Sequence, residues 1–141
     1  MDSTFYCPNC FAGISASVKV CPVCSIDIKQ WEKEHSYFDR LVHSLKHPNP
    51  EARMGCILTL GNQRNLKAAI PLAECALLHP VDVWQDMEII RSLKKLPICP
   101  ETKTAYKMLL EHPARVIREE AEQGLSEFAQ QTKAEERSGT N

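Results

Sequence analysis

Four cysteines near the start of the chain have the spacing of a metal site. They form two Cys-x-x-Cys pairs, Cys7 with Cys10 and Cys21 with Cys24, and ten residues separate the pairs. Because only two residues lie between the cysteines of a pair, both sulfur atoms can reach one ion from a single tight turn. Two such turns complete a tetrahedral shell of four thiolates, which suits one zinc ion. The closed shell leaves no position for water or substrate, so the spacing predicts a structural ion.

The distribution of all seven cysteines favours metal over disulfides. Cys56, Cys75 and Cys99 are scattered singly, and an odd total would leave one cysteine outside a disulfide framework. Cys56 and Cys75 fall near apolar helical faces, where a thiol behaves as a small hydrophobe. Cys99 precedes Pro100 at a predicted helix start, where a reactive thiol is the less favoured alternative to an inert one.

The composition is that of an ordinary folded protein. The chain has 141 residues, of which 43% are hydrophobic and 25% charged, with a net charge of −1. Bulk charge therefore requires neither nucleic acid nor an acidic membrane as a partner. No basic segment followed by an apolar one opens the chain, and the most apolar stretch, residues 68–78, is interrupted by Pro71 and Glu74. We expect a soluble, cytoplasmic protein without a membrane segment.

The two cysteine pairs share further features. Pro8 and Pro22 occupy the same place in each pair, and residues 18–20 alternate Val-Lys-Val as a short strand would. On these features residues 5–28 resemble a zinc ribbon of the Cys-Pro-x-Cys type, which implies a small β-hairpin and one structural zinc ion. Iron in a rubredoxin-like site is the alternative. Such turns often carry glycine after the second cysteine, where this chain has Phe11 and Ser25.

An internal repeat follows the ribbon. A Leu-x-His-Pro motif recurs at residues 45–48, 77–80 and 110–113, so that the His-Pro steps lie 32 and 33 residues apart. This period is typical of stacked helix pairs. Apolar spacing predicts about six helices, the first over residues 30–46 and the second ended by Gly61. Their apolar faces are Trp31, Phe38, Leu41, Val42 and Leu45; Met54, Ile57 and Leu58; Leu66, Ala69, Ile70, Ala73, Ala76 and Leu77; Val83, Met87 and Ile90; Ala105, Met108 and Leu109; and Ile117, Ala121, Gly124, Leu125 and Phe128.

Two segments carry a family resemblance in this region. They are residues 50–53 with Leu60 and Gly61, and residues 116–118 with Ala121 and Leu125. On them, residues 30–130 resemble HEAT-like repeats of the phycobilisome-lyase type. The central unit departs from the pattern, because residues 83–85 read Val-Trp-Gln where Val-Arg is usual. The predicted fold is mostly α: a zinc ribbon over residues 1–28, a short HEAT-like array over residues 29–130, and a disordered tail over residues 131–141.

The remaining candidates concern histidine, charge and one tryptophan. We expect the histidines to serve the repeated turns rather than to form a second metal site. Lysines and an arginine between Arg91 and Lys107 favour a solvated face over an anion-binding surface. Trp84, with Asp82 and Asp86 beside it, favours core packing between repeats over a binding spot. The HEAT-like resemblance implies a concave partner surface, and the candidate partner-binding residues are Lys67, Glu74, Trp84, Lys103 and Lys107.

These features together predict a non-enzymatic scaffold or adaptor that binds another protein. Nucleic-acid binding is the first alternative, but residues 11–20 contain a single basic residue, Lys19, and no dense basic stripe follows. An accessory subunit of an enzyme, suggested by the lyase resemblance, is the second alternative. No set of catalytic side chains stands out in the sequence, so we expect no enzyme activity.

Overall fold

The computed structural model describes residues 5–138, with side chains to Gln130. These residues are mostly helical (64%), with seven helices and a small two-stranded antiparallel hairpin near the N-terminus. The chain divides into two compact units, residues 1–56 and residues 57–141. Within residues 5–138, no helix is both long enough and apolar enough to cross a membrane.

The first unit begins with the hairpin. Strand β1 (Phe5–Tyr6) pairs antiparallel with strand β2 (Gly13–Ile14), with Phe5 opposite Ile14. The strand expected at residues 18–20 is reduced to an isolated bridge between Val20 and Asp27. Helix α1 (Ile28–Glu34) follows at once, because the Asp27 carboxylate accepts a hydrogen bond from the Gln30 amide and caps the helix.

The single helix predicted over residues 30–46 is wrong. Helix α1 ends at Glu34 and helix α2 spans Tyr37–Ser44. The break has a local cause, since Ser36 has extended backbone angles and its hydroxyl accepts the Asp39 amide as an N-cap. The apolar spacing of the two short helices runs on across the cap, so periodicity alone could not separate them.

Helix α3 (Pro50–Gln63) runs through the boundary between the units, and its predicted end at Gly61 is also wrong. Gly61 is helical, and the left-handed residue that follows the helix is Arg64, with φ of 55°. Gly61 serves close packing instead, because a Cβ atom there would lie 2.6 Å from Ser92 Oγ and 3.0 Å from Ser92 Cα. The Ser92 hydroxyl donates to the Ile57 carbonyl at 3.0 Å, which holds this approach.

The second unit is an array of helices in two layers. A 3₁₀ turn (Leu66–Ala68) leads into helices α4 (Ala69–Leu78), α5 (Val83–Lys95), α6 (Pro100–Leu109) and α7 (Arg115–Ser138). Helix α4 packs on α6 and helix α5 packs on α7, while α4 also contacts α5 and α6 contacts α7. The packing thus joins alternate helices as well as helices that are adjacent in the chain.

The core of this unit follows the predicted apolar faces only in part. Its fully buried large side chains include Leu72, Ile89, Ile90, Leu93, Leu109 and Ile117. Leu58 and Leu66, which the spacing also placed on apolar faces, are exposed by 40% and 37%. Leu72, Ile89 and Leu93 were not among the predicted face residues, so the spacing identified only part of the buried side.

Helix α7 continues to Ser138, whereas the sequence predicted a disordered tail from residue 131. Residues 131–138 contain neither glycine nor proline and include several strong helix formers, so the backbone can extend the helix by propensity alone. Residues 139–141 of the predicted tail lie outside the described residues.

Candidate metal centre

The four predicted cysteines meet at one point. Their Sγ atoms all lie within 4.8 Å of one another, with Cys7 Sγ 3.6 Å from Cys24 Sγ and Cys10 Sγ 3.7 Å from Cys21 Sγ. A tetrahedron with metal–sulfur bonds of about 2.3 Å has sulfur–sulfur edges of about 3.8 Å. A disulfide would need about 2.05 Å. The sulfurs are therefore spaced to hold a metal ion.

Each cysteine pair lies in a turn of the same construction. The Phe11 amide donates to the Cys7 carbonyl and the Ser25 amide donates to the Cys21 carbonyl, both at 2.9 Å. Phe11 and Ser25 have φ of 65° and 66°, in the left-handed region that favours glycine. The departure from glycine noted in the sequence therefore leaves the turn conformation unchanged and places two ordinary side chains in an unfavourable backbone conformation.

Neighbouring amides support negative charge on the second pair of sulfurs. The amides of Cys24 and Val23 donate to Cys21 Sγ and lower the pKa of Cys21. The Ile26 amide is the largest cause that lowers the pKa of Cys24 to about 6, and the Asn9 side chain, 3.6 Å from Cys24 Sγ, acts in the same direction. Hydrogen bonds to a thiolate favour the ionised form.

The first pair of sulfurs shows the opposite shift. Burial raises the pKa of Cys7. The Ala12 amide favours the thiolate of Cys10, but burial and the neighbouring sulfurs outweigh it and raise the pKa of Cys10 to about 12. Four thiolates at this separation repel one another, so full ionisation requires a cation at their centre. This donor set fits a thiophilic metal ion.

The segment that carries the four cysteines packs on helix α2 within the first unit. His43 Nε2 donates to the Asn9 carbonyl at 2.7 Å, and the Phe11 ring stacks on His43 with centroids 4.9 Å apart. Phe11 also contacts His47 at 4.7 Å, and Tyr6 meets His47 edge-on at 4.6 Å. The residues that shape the first cysteine turn therefore also hold the helix, a contact that the sequence did not predict.

The histidines of the first and third His-Pro steps organise turns of the same design. The Asn49 amide donates to His47 Nδ1, and the Ala114 amide donates to His112 Nδ1, both at 3.0 Å. Arg53 Nη1 donates to the carbonyls of residues 47 and 48, and Arg118 Nη1 to those of residues 112 and 113. Burial, and then the charge of Arg53, lower the pKa of His47, which suits its role as an acceptor. The sequence signal for this design is arginine six positions after histidine.

The third turn has an additional buried partner. His112 Nε2 lies 2.7 Å from Asp86 Oδ2, and both side chains are fully buried. Because His112 Nδ1 accepts the Ala114 amide, its ring proton is on Nε2 and is donated to Asp86. Asp86 is therefore a packing residue of the second unit, which excludes it from the binding spot that was the less favoured alternative for Trp84 and its neighbours. Among the described residues, Cys7, Cys10, Cys21 and Cys24 form the one group of three or more histidine, cysteine, aspartate or glutamate side chains close enough to share a metal ion.

The five candidate partner-binding residues all lie on the surface. Trp84 is 80% exposed, so the core packing favoured for it is wrong. The other four candidates, Lys67, Glu74, Lys103 and Lys107, are also exposed. Lys103 Nζ lies 5.6 Å from the centroid of the Phe128 ring, a distance at which a cation–π contact contributes.

Several other candidates are already engaged inside their own unit. Lys94 pairs with Glu120 at 2.8 Å and Lys95 donates to Asn62 at 3.1 Å, so part of the basic cluster serves intramolecular contacts. Cys99 is half-buried with its sulfur 3.0 Å from Thr102 Oγ1. Burial raises the pKa of Cys56, which disfavours its reactive thiolate form.

Comparisons with protein-family models, with curated proteins and with solved structures found no match to this chain.

Proposed function

We propose that this protein is a non-enzymatic interaction scaffold, in which a ribbon with one structural zinc ion precedes a short HEAT-like array that binds another protein. The observation that carries the proposal is the packing in the second unit, where α4 lies on α6 and α5 lies on α7. Such stacking leaves one helix of each pair along a continuous surface, and repeat proteins commonly bind partners there. The exposed residues Lys67, Glu74, Lys103 and Lys107 belong to that layer and its leading turn.

The metal site supports the same function. Four protein sulfurs fill a tetrahedral shell, so the ion has no open position for water or substrate and its role is to hold the ribbon together. Zinc is the metal proposed, because it has no redox chemistry and such closed thiolate sites are characteristic of it. Native mass spectrometry and metal analysis of the purified chain should find one zinc ion per chain. A red protein that contains iron would overturn this part of the proposal.

The scaffold itself is tested by isolating the protein under gentle conditions from its own cells, with and without nuclease. A defined protein partner that remains after nuclease treatment supports the proposal. Loss of all bound material on nuclease treatment would favour a nucleic-acid ligand instead. A bound small molecule with no protein partner would favour the accessory role in an enzyme.

A further inference from the structure

The central His-Pro turn exposes three large apolar side chains within seven residues. Leu78 ends helix α4, Val81 lies in the turn, and Trp84 lies in the first turn of helix α5. Their exposed fractions are 64%, 92% and 80%. We call these three residues the turn patch. Isolated exposed apolar residues are ordinary, but three large ones within seven residues of one turn, tryptophan among them, are typical of a contact surface.

The turn does not need these side chains for its own structure. Its backbone is held by the Asp82 amide donating to the His79 carbonyl, and the Asp82 carboxylate caps helix α5 by accepting the Gln85 amide. Neither interaction uses an atom of the Val81 or Trp84 side chain. The exposed side chains of Val81 and Trp84 therefore remain accessible to a partner.

The other two His-Pro turns show what the same positions hold elsewhere in the chain. Counted from the histidine, the patch occupies positions −1, +2 and +5. The first turn has Lys46, Asn49 and Ala52 at these positions, and the third has Glu111, Ala114 and Ile117. The side chains there are charged, polar or small, except for Ile117, which is fully buried. Only the central turn among the three presents large apolar side chains to solvent at all three positions.

Three carboxylates, Glu74, Asp82 and Glu88, lie close to the patch residues in the chain. Glu74 precedes Leu78 by four residues on α4, and Glu88 follows Trp84 by four residues on α5, so helical spacing places each beside a patch residue. Asp82 lies between Val81 and Trp84 in the chain, in the turn itself. The nearest cation along α5, Arg91, is paired with Glu88. Arg91 offsets the charge of Glu88, so Glu74 and Asp82 give the rim its negative charge around an apolar centre. Charge at the rim of an interface favours a partner of opposite sign.

We propose that the turn patch docks a partner protein segment whose apolar anchor side chains are flanked by lysine or arginine. Trp84 is the central anchor on this side, because a tryptophan ring covered by a partner removes about 150–250 Å² from water. The acidic rim favours a basic segment and disfavours an acidic one. This inference rests on the proposed scaffold function and names the site and the chemistry of its partner.

Synthetic peptides test the chemistry directly on the full, zinc-loaded chain. Three peptides share one row of leucine and phenylalanine anchors at helical spacing and differ only in flanks of lysine, glutamine or glutamate. Binding measured by fluorescence anisotropy should be strongest for the lysine-flanked peptide, and its advantage should shrink as salt is added. Equal binding of all three, preference for the glutamate-flanked peptide, or no binding to any of them would overturn the proposal.

Variants locate the binding on the protein. Trp84→Ala should weaken binding of the lysine-flanked peptide by about tenfold or more, as expected for the loss of an interface anchor. Val116→Ala is the matched control, because Val116 is also an exposed apolar residue in the first turn of a helix, 42% exposed, and lies outside the patch. Glu74→Lys combined with Glu88→Lys should reverse the order of the peptides. Unchanged affinity in Trp84→Ala would overturn the assignment.

Cross-linking in cells separates failure of this inference from failure of the scaffold function. A photoreactive amino acid is placed at position 84 in one protein and at position 107 in another. A basic partner segment captured from position 84 supports the proposal. Capture of a partner from position 107 alone is consistent with the scaffold function but contradicts binding at the turn patch. Capture of a second copy of this chain from position 84 overturns the basic partner segment in favour of self-association.

Discussion

Glycine introduced at the two left-handed positions of the cysteine turns should have opposite effects on stability. Phe11 and Ser25 have nearly the same φ, 65° and 66°. A left-handed conformation costs an ordinary residue about 1–2 kcal/mol. Glycine avoids that cost but gives up about 0.5–1 kcal/mol to the greater freedom of the unfolded chain. Ser25 is exposed, so Ser25→Gly should stabilise the metal-loaded first unit by about 0.5–1 kcal/mol.

Phe11→Gly gains the same amount from the backbone but loses the ring contacts. Phe11 contacts the rings of His43 and His47, and each aromatic pair contributes about 0.5–1.5 kcal/mol beyond the burial of its surface. Loss of part of the hydrophobic burial of a half-buried phenylalanine adds about 1 kcal/mol. The balance is a destabilisation of about 1–3 kcal/mol.

Two measurements follow the comparison. A metal ion held by four thiolates binds only the folded state, so its binding is coupled to folding. With zinc, the metal proposed, Ser25→Gly should raise the affinity about two- to fivefold and Phe11→Gly should lower it about tenfold or more, in competition with a chelator. Unfolding of the first unit can be read from the buried Trp31 in a Trp84→Phe background, since the chain has two tryptophans. Equal effects of the two glycines would refute the view that the Phe11 ring, rather than its backbone, is what the turn requires.

Three further outcomes are expected. Removal of the metal with a strong chelator should raise amide hydrogen exchange in helix α2 as well as in the ribbon, because the first cysteine turn holds that helix; protection of α2 that is unaffected by chelation would contradict this coupling. Gly61→Ala should destabilise the protein by about 1–3 kcal/mol in urea unfolding, because the added methyl group overlaps Ser92. Gly55→Ala in the same helix is the control: its methyl group meets nothing within 4 Å, so it should stabilise the protein by about 0.5–1 kcal/mol. Destabilisation by both substitutions would contradict the close approach of Gly61 to Ser92. Burial raises the pKa of Asp86 from 3.8 to about 6, so the folded state binds this proton more tightly than the unfolded state, and the contribution of this carboxyl to stability falls as the pH rises through that range. The stability of Asp86→Asn relative to the parent protein should therefore increase between those pH values in urea unfolding, because the substituted amide keeps an acceptor for His112 and no longer titrates; a difference that does not change with pH would contradict it.

Local features of the fold could be predicted where the type of a residue by itself determines its backbone conformation or whether its side chain is buried. The two Cys-x-x-Cys pairs predicted the convergence of four sulfurs, because each pair must form a tight turn to present both thiols. Apolar spacing predicted only part of the buried faces of the second unit, because it missed the fully buried Leu72, Ile89 and Leu93. Apolar spacing also did not separate helices α1 and α2, because the Ser36 hydroxyl caps a new helix within one apolar stripe. The helix end predicted at Gly61 was wrong for a different reason, since that glycine lies inside helix α3.

The surface was less predictable than the core. Trp84 has the residue type of a core anchor but is 80% exposed, because neither its type nor its spacing specifies which side of α5 faces the neighbouring helices. Asp86, two residues later, has the residue type of the surface but is buried, because His112 lies opposite and donates a hydrogen bond to it. Burial of a polar group depends on such a partner, and the partner is distant in the chain.

The sequence by itself therefore determined the donor set of the metal site, the repeating His-Pro turns and the mostly helical fold, since each follows from short-range spacing and residue type. Only the tertiary structure decided that Phe11 links the cysteine turn to His43 and His47, and that Leu78, Val81 and Trp84 face solvent together. These features depend on contacts between residues far apart in sequence and on which helix face is covered. Neither the contacts of Phe11 nor the exposure of these three side chains can be predicted from a local sequence pattern.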